Sequence, residues 1–442
     1  MIRGHLLVEI QQGWPGQAAG EVSQQERSRS SQPLDELAHV LAPAAGSAVI
    51  RRRAPSSEGS LRLVCFPYAG NPRLLLPADS PRAAATAVRR SGEGSWVWKA
   101  RVAQLAALGV SAGLLSRPPV NALTLAIGNG GADDVPLLTY LSEIVGEEVT
   151  VSVRIRPHRP NSKPVLLLIA VDGRVLGYAK VGGNSLTRTL VRNESSVLNG
   201  FGDEERERLS FDVPRVLHHG SWHDLELLVV TALRGGRGSP RDPERRAMRE
   251  IAARSQLDYI PLEASRVWTQ MWARLAGMPS EDASVAAVVA AGRALSDRIG
   301  DERLLFGGWH GDWTPWNMSS AGERLSVWDW ERSSASAPIG LDVAHHLLMV
   351  ANHRRRLDGW TIRRLGRKVE PIISDLGQAS RHAPLLIFLA LLEMAVRFEE
   401  ARAAGMSVTN RFAPLLGSAL TFVDETGYFR GRGAAGTSHH AT

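Results

Sequence analysis

The chain has 442 residues, of which 44% are hydrophobic and 22% are charged. This composition is ordinary for a globular protein of two or three domains, and it excludes a collagen-like, coiled-coil or wholly disordered chain. Lys and Arg outnumber Asp and Glu by 52 to 45, a surplus that allows an anionic partner but does not require one.

A single cysteine, Cys65, excludes an internal disulfide, a CxxC redox pair and a cysteine-based zinc site, and it fits a reducing, cytoplasmic location best. The apolar patch within residues 1–16 is too short for the core of a signal peptide. The longest apolar stretch, residues 384–396, contains Glu393 and is shorter than the roughly 18 residues that a membrane span needs. We therefore expect neither secretion nor an integral membrane segment.

The N-terminal part of the chain divides into two segments. Residues 1–60 are rich in Gln, Ser, Arg, Gly and Pro, which predicts a mostly disordered tail. Residues 61–130 predict a small accessory α/β unit, with short strands at LRLVCF and RLLLP and helices at SPRAAATAVRR and WVWKARVAQLAALG.

Residues 131–235 predict a helix and then a small antiparallel sheet. Three strands follow one another at 149–157, 164–171 and 174–182, and the dipeptide Asp172-Gly173 predicts a type I′ turn between the last two. A helix at SLTRTLVRNESSVLNGF and a strand at DLELLVVTAL complete this segment.

Residues 236–425 are helix-patterned, except for a central block at 304–332 with short strands and several tryptophans. Residues 426–442 predict a flexible C-terminal tail. A small sheet followed by a larger helical segment predicts an α+β fold rather than a doubly wound one.

The most informative stretch is GGWHGDWTPWN, residues 307–317, followed by LSVWDWE, residues 325–331. Phosphoryl transfer needs a carboxylate that orients and accepts the proton of an attacking hydroxyl, and it needs oxygen ligands for Mg²⁺. Asp312 is the candidate for the catalytic carboxylate, and Asn317 and Asp329 are the candidate metal ligands.

A second pair of residues lies upstream. Lys180 ends the third strand of the sheet, and Glu194 follows fourteen residues later on the next helix. This arrangement is typical of a strand lysine that contacts nucleotide phosphates and is oriented by a helix carboxylate. Only four of the 52 basic residues are lysines, so a lysine at this position is informative.

Together these residues resemble the aminoglycoside-phosphotransferase and choline-kinase-like branch of the protein-kinase-like fold, over roughly residues 150–425. In that family HGDxxPxN, here residues 310–317, is the catalytic loop, and the Asp of WDWE binds metal. The resemblance implies two lobes with an N-terminal extension, a nucleotide partner, and ATP and Mg²⁺ as cofactors. It also places Thr231 and Leu233 at a hinge facing the adenine, and Asp342 behind the catalytic loop in a structural role.

The loop at 156–163 contains no glycine, whereas protein kinases cover the phosphates with a Gly-rich loop. Arg156, Arg159 and Lys163 are therefore candidates for phosphate contacts instead. As a residue of this loop rather than of the strand, Lys163 is expected to tolerate replacement by Arg.

Four further residues have a plain structural interpretation. Glu331 is a candidate for one of two roles, a third carboxylate of the metal site or the partner of a local Arg in a salt bridge. His345 and His346 lie on an apolar helix pattern and are interpreted as core histidines, and His310 is predicted to brace the loop by hydrogen bonding.

The preferred function is a Mg²⁺-dependent phosphotransferase that moves the γ-phosphoryl of ATP to a hydroxyl of a small molecule. A small-molecule acceptor is preferred because WDWE runs within a few residues into PIGLD, which leaves no room for a protein-kinase activation segment.

Two alternatives stay open. A non-catalytic binding module would dock on nucleic acid or an anionic membrane surface through the basic run at 353–368, although such runs are usually solvated helix faces. A serine thioesterase would use Ser111 in GVSAG, but a nucleophile elbow needs a preceding strand, and Ser111 follows a helix pattern.

Overall fold

The computed structural model describes residues 48–52, 63–66, 73–91, 97–111, 123–127, 136–155, 163–233, 241–279, 281–321 and 324–428. Most of the predicted tail at 1–60, most of the C-terminal tail, and Arg156 and Arg159 of the glycine-free loop lie outside these residues. Residues 48–52 of the predicted tail are described, and they form a strand.

The described residues form strands and α-helices in an α+β order, with two short 3₁₀ helices at Ser380–His382 and Ala413–Leu415. The strands are β1 (Ala48–Arg52), β2 (Leu63–Phe66), β3 (Leu74–Pro77), β4 (Leu123–Ile127), β5 (Val149–Arg154), β6 (Val165–Ala170), β7 (Val175–Gly182), β8 (Phe211–Asp212), β9 (Val216–Trp222), β10 (Leu225–Val230), β11 (Asp258–Pro261), β12 (Arg303–Trp309), β13 (Met318–Ala321), β14 (Arg324–Val327) and β15 (Ser334–Pro338). The helices are α1 (Pro81–Ser91), α2 (Val97–Ser111), α3 (Leu137–Val145), α4 (Ser185–Asn199), α5 (Asp203–Arg208), α6 (Arg241–Ala252), α7 (Arg266–Ala276), α8 (Ala283–Ile299), α9 (Leu341–His353), α10 (Gly359–Asp375), α11 (Ala383–Ala403) and α12 (Leu416–Glu425).

The larger sheet has seven strands in the order β2-β3-β5-β6-β7-β10-β9, and neighbouring strands are antiparallel. The three consecutive strands and the later strand β10 that the sequence predicts are all present. Strand β9 was not predicted, because its sequence, VLHHGSW, has few of the β-branched and aromatic residues that mark strands.

Residues 63–91 differ from the expected accessory unit. Strand β3 is hydrogen-bonded to β5, and the Ser152 hydroxyl donates to the Leu75 carbonyl at 2.7 Å. Helix α1 buries its alanines against Leu167 and Ile169 of the same sheet. These residues therefore extend and cover the seven-stranded sheet, and they do not pack as a separate unit.

The turn between β6 and β7 is not the type I′ turn that Asp172-Gly173 predicts. A type I′ turn needs a positive φ at both central residues, but here Gly173 alone has one, at 93°. The Gly173 N–H bonds the Ala170 carbonyl, and the Asp172 carboxylate accepts the Arg174 N–H at 2.9 Å. The turn therefore runs from Ala170 to Gly173, one residue earlier than the predicted turn, which would end at Arg174.

Two apolar layers cover the sheet, and a third joins it to the rest of the chain. Helix α3 covers one face, and helices α1 and α2 cover the other. The third layer packs α4, β10 and α6 against the fully buried Trp313 and Trp330. Replacing a buried aromatic residue by Ala typically costs about 3–5 kcal/mol, so this layer holds the sheet firmly on the segment that carries the HGDWTPWN motif.

The second lobe is helical and is built around α11, which is apolar on nearly every side and buried over most of its length. Such a helix belongs in the centre of a bundle. Short sheets, β11-β12-β15 and β13-β14-β8, lie between this bundle and the large sheet. Among the described helices, none has the length and apolarity needed to cross a membrane. The predicted α+β, two-lobed architecture is confirmed.

Candidate active site

The loop after β12 is braced from inside by His310. Its Nδ1 accepts the Asp312 backbone N–H at 3.1 Å, and its Nε2 lies 3.2 Å from the Trp328 carbonyl. Burial lowers the pKa of His310 to about 4, so the ring is neutral at physiological pH. These contacts match the bracing role predicted for His310.

Helix α9 fixes the backbone of the same loop. Asp342, in its first turn, accepts the backbone N–H of His310 at 2.9 Å and that of Gly311 at 3.0 Å. Both carboxylate oxygens of Asp342 are thereby used to hold the loop. This position behind the loop is the one that the family resemblance implies for Asp342.

Gly311 has φ +86°, and a Cβ added there would lie 2.2 Å from the Arg332 carbonyl oxygen. We expect Gly311→Ala to lower the melting temperature by several degrees and to disturb the loop. The matched control is Gly405→Ala, because Gly405 has φ +84° with nothing within 4 Å of an added Cβ. That control carries only the backbone strain, about 1–2 kcal/mol. Equal melting temperatures for the two variants, measured by calorimetry, would show that the close approach to Arg332 is unimportant.

Asp312 is held through both carboxylate oxygens. His345 Nε2 lies 2.9 Å from Oδ1, and Asn317 Nδ2 donates to Oδ2 at 2.7 Å. Burial alone would raise the pKa of Asp312, but the hydrogen bond and electrostatic attraction of His345 outweigh it and leave this pKa below its ordinary value. The Asp312 side chain is still 26% exposed, so an ionised carboxylate is accessible to a ligand.

Lys180 and Glu194, predicted as a pair, form a buried ion pair. The Lys180 ammonium lies 2.6 Å from both Glu194 oxygens and 2.7 Å from Asp329 Oδ1. Burial lowers the pKa of Lys180, but attraction to Asp329 and Glu194 outweighs this and raises it above its ordinary value. The chain thus joins the sheet, α4 and the WDWE segment at one ammonium group.

The backbone of Asp329 is strained, with φ +72° in a residue that has a Cβ. Such conformations cost about 1–3 kcal/mol and concentrate at functional sites. Helix α4 holds the segment in place, because the Trp330 N–H donates to Glu194 and the Asn193 amide donates to the Glu331 carbonyl. The role of Asn193 was not predicted, since its partner is 138 residues away.

The ion-pair partner of Glu331 is Lys163 rather than a local Arg, and both side chains are buried. Burial, only partly offset by Asp329, lowers the pKa of Lys163 to about 8. The expectation that Lys163 tolerates Arg assumed a solvated loop lysine. Because Lys163 is buried, that assumption is wrong. Oxygens of Glu194, Asp329 and Glu331 lie within 4.8 Å of one another, and two of the four lysines of the chain pair with them, so three carboxylates face two ammonium groups.

A network of buried Arg and Glu side chains, which the sequence did not indicate, supports the loop from behind. Arg397 of α11 donates to the Gly311 carbonyl at 2.8 Å and to Glu393 at 2.7 Å. Arg332, which follows WDWE, donates to Glu400 at 2.8 Å. With Arg so common in this chain, residue type alone could not single out Arg397 and Arg332 as the residues that make these contacts.

Thr231 and Leu233, the predicted hinge, follow β10 at the end of the sheet. The Thr231 N–H donates to the Arg215 carbonyl, and the Leu233 carbonyl accepts from Arg90 of α1. The contacts described for these two residues are to Arg215 and Arg90, and their role towards an adenine stays a prediction. Ser111 ends helix α2, so a helix precedes it where a nucleophile elbow would have a strand.

The basic run at 353–368 spans the end of α9, a turn and the start of α10. Arg354, Arg356 and Lys368 are exposed, whereas Arg363 pairs with Glu425. Binding of an anionic partner at this surface stays a prediction.

A scan against protein-family models and a search of curated proteins find no match to this chain. Among solved structures, it is similar to a candidate fructosamine-3-kinase from Haemophilus somnus 129PT, with 12% identity over 66% of this chain and 96% of that one, at a TM-score of 0.40. It is also similar to a thermostable mutant of aminoglycoside phosphotransferase APH(4)-Ia in ternary complex with ADP and hygromycin B, with 16% identity over 66% and 98% of the two chains, at a TM-score of 0.39. These scores are too low to assign a function, so the site geometry must support one.

Proposed function

We propose that this protein is a Mg²⁺-dependent phosphotransferase that moves the γ-phosphoryl of ATP to a hydroxyl of a small molecule. The observation that carries the proposal is the Lys180 ammonium, held between Glu194 and Asp329 where the two lobes meet. The loop of Asp312 and Asn317 lies next to the segment that carries Asp329. The Trp328 backbone carbonyl contacts the ring of His310, and the Asn317 backbone carbonyl accepts the Trp328 N–H.

Lys180 is the proposed phosphate-contacting group. Its charge is buried, and its three N–H donors are taken by Glu194 and Asp329. A phosphate oxygen would therefore replace Asp329 as the third acceptor, while Glu194 keeps the ammonium in position. Lys163, held by Glu331 in the same cluster, supplies a second ammonium. Because three carboxylates face these two ammonium groups, the cluster has a net negative charge, and a bound Mg²⁺ would supply the positive charge that a nucleoside triphosphate needs.

The donor set fits Mg²⁺. Asn317 and Asp329 offer oxygen donors, which Mg²⁺ prefers over nitrogen or sulfur, and few protein ligands are needed because the substrate phosphates supply others. Asn317 uses its amide N–H groups on Asp312, which orients its carbonyl oxygen away from that carboxylate. When bound, the ion would neutralise charge on the phosphates.

Asp312 is the proposed catalytic residue. Its carboxylate, ionised and fixed by two donors, can orient an acceptor hydroxyl and take up its proton. The new oxygen–phosphorus bond forms as the bond between the γ-phosphorus and the β,γ-bridging oxygen of ATP breaks, and ADP is the leaving group. The proton leaves the hydroxyl for Asp312 and then passes to water when the product departs. The short connection from Glu331 to β15 supports a small-molecule acceptor over a protein.

The proposal is tested with purified protein, ATP and Mg²⁺ against a panel of sugars, amino alcohols and aminoglycosides. Mass spectrometry should detect the gain of one phosphoryl group by at least one acceptor. The same assay separates an enzyme from a non-catalytic binding module, which would bind nucleotide without Mg²⁺-dependent turnover.

We expect Asp329→Ala and Asn317→Ala to weaken Mg²⁺-dependent nucleotide binding, with the larger loss for Asp329 because a full charge is removed. The Asp329 loss should reach at least tenfold, since even supporting partners of metal ligands typically cost about 10–100-fold. Calorimetric titration of ATP with and without Mg²⁺ measures it. Asp301→Ala is the control, because Asp301 is exposed. If both site variants bind MgATP like the parent, the metal lies elsewhere.

A further inference from the structure

His345 is a buried histidine whose ring faces the proposed catalytic carboxylate. It lies on α9 and is only 2% exposed, and its Nε2 is 2.9 Å from Asp312 Oδ1. Asp312 accepts hydrogen bonds when ionised, so Nε2 carries the hydrogen of this contact. The pattern of α9 predicted a core histidine, and the structure adds a partner 33 residues away.

The same helix face controls both the backbone and the side chain of the catalytic loop. Asp342 and His345 are three residues apart, a spacing that puts both on one side of a helix. Asp342 holds the loop N–H groups at 2.9 and 3.0 Å, and His345 holds the Asp312 side chain. The main chain and the carboxylate are therefore positioned by one rigid element.

The two donors to Asp312 come from different parts of the fold. Asn317, on Oδ2, belongs to the loop and to the proposed metal site, whereas His345, on Oδ1, belongs to the core. A carboxylate oxygen has room for two hydrogen bonds, so each still has capacity to accept one from a substrate hydroxyl. With one donor on each oxygen, rotation of the carboxylate is restricted.

We propose that His345 is a positioning residue for phosphoryl transfer, which orients Asp312 towards the acceptor hydroxyl. This inference rests on the proposed function. His345 does not exchange the proton in this scheme: the hydroxyl proton goes to Asp312, and His345 keeps its own hydrogen in the bond to Oδ1. The loss of His345 should therefore lower kcat and leave nucleotide binding unchanged.

The test compares two amides at this position. In His345→Gln the amide nitrogen can occupy roughly the place of Nε2 and donate to Asp312, whereas in His345→Asn the shorter side chain cannot reach it. We expect His345→Asn to lower kcat on the order of 10- to 100-fold, the scale of a misplaced catalytic group, and His345→Gln to recover most of it. KM for ATP, the calorimetric affinity for nucleotide and the melting temperature are measured for each variant.

A double variant tests whether His345 acts through Asp312. Adding His345→Asn to Asp312→Asn should lower the residual rate no further, because the positioned carboxylate is already gone. Additive losses, equal rates for the two amides, or a parallel fall in nucleotide affinity would overturn the inference while the proposed function stands. A parent protein without Mg²⁺-dependent transfer would instead refute the proposed function, and this inference with it.

Discussion

Replacing Asp312 by Asn should lower phosphoryl transfer by about 10²- to 10⁴-fold, the usual contribution of a general base. The amide keeps the size of the carboxylate but cannot accept the hydroxyl proton. It also has a single acceptor oxygen, whereas His345 and Asn317 both donate to this side chain. One of these donors would therefore face an N–H group, which disturbs the remaining orientation.

Nucleotide affinity should survive in Asp312→Asn, because Lys180, Glu194 and Asp329 are untouched. Steady-state turnover and calorimetric binding of ATP are measured on the same preparation. Asp301→Asn serves as the control for loss of one acidic charge, since Asp301 is exposed. Near-normal turnover in Asp312→Asn would refute the assignment of Asp312 as the general base.

Replacing Lys180 by Arg should lower turnover at least tenfold, which corresponds to about 1.4 kcal/mol of transition-state stabilisation. The ammonium lies 2.6 Å from both Glu194 oxygens and 2.7 Å from Asp329 Oδ1 in a buried site. A guanidinium is larger and planar, so it cannot take the same three contacts from the same position. Arg is the common cation of this chain, which makes this exchange a stringent test of the ammonium.

The matched control is Lys368→Arg, because Lys368 is exposed and outside the cluster. Lys163 does not serve as a control, since it is buried against Glu331 beside the same carboxylates. Combining Lys180→Arg with Glu194→Gln should cost less than the sum of the single losses, because both changes act on one ion pair. Equal, small effects at Lys180 and Lys368 would leave the catalytic loop as the sole support for the proposed function.

Much of the site was predictable because its parts lie in short segments. Asp312 and Asn317, both singled out in the sequence, are five residues apart in one loop, and the Asn317 amide donates to the Asp312 carboxylate at 2.7 Å. Lys180 and Glu194 are separated by one strand end and one helix, so local structure largely decides that they meet. Their catalytic and binding roles stay predictions until the variants are measured.

Other contacts were not predictable, because they join residues that are far apart in the sequence and whose local patterns indicate only an ordinary loop or strand. Lys163 belongs to a loop in sequence, yet its ammonium is buried against Glu331 of the WDWE segment. Residues 63–77 have strand patterns that any small unit could use, and only their pairing with β5 makes them part of the large sheet.

The sequence by itself determined six of the seven strands of the large sheet, the α+β order and the HGDWTPWN loop with its following carboxylate. Hydrophobic periodicity and turn residues act over a few neighbours, so they can be recognised without knowing the fold. The tertiary structure alone decided the seven-stranded sheet, the bracing of Gly311 by Arg397 and the contact of His345 with Asp312. These contacts depend on which helix faces and strand edges pack together, and that is settled by burial across the whole chain rather than by spacing within one segment.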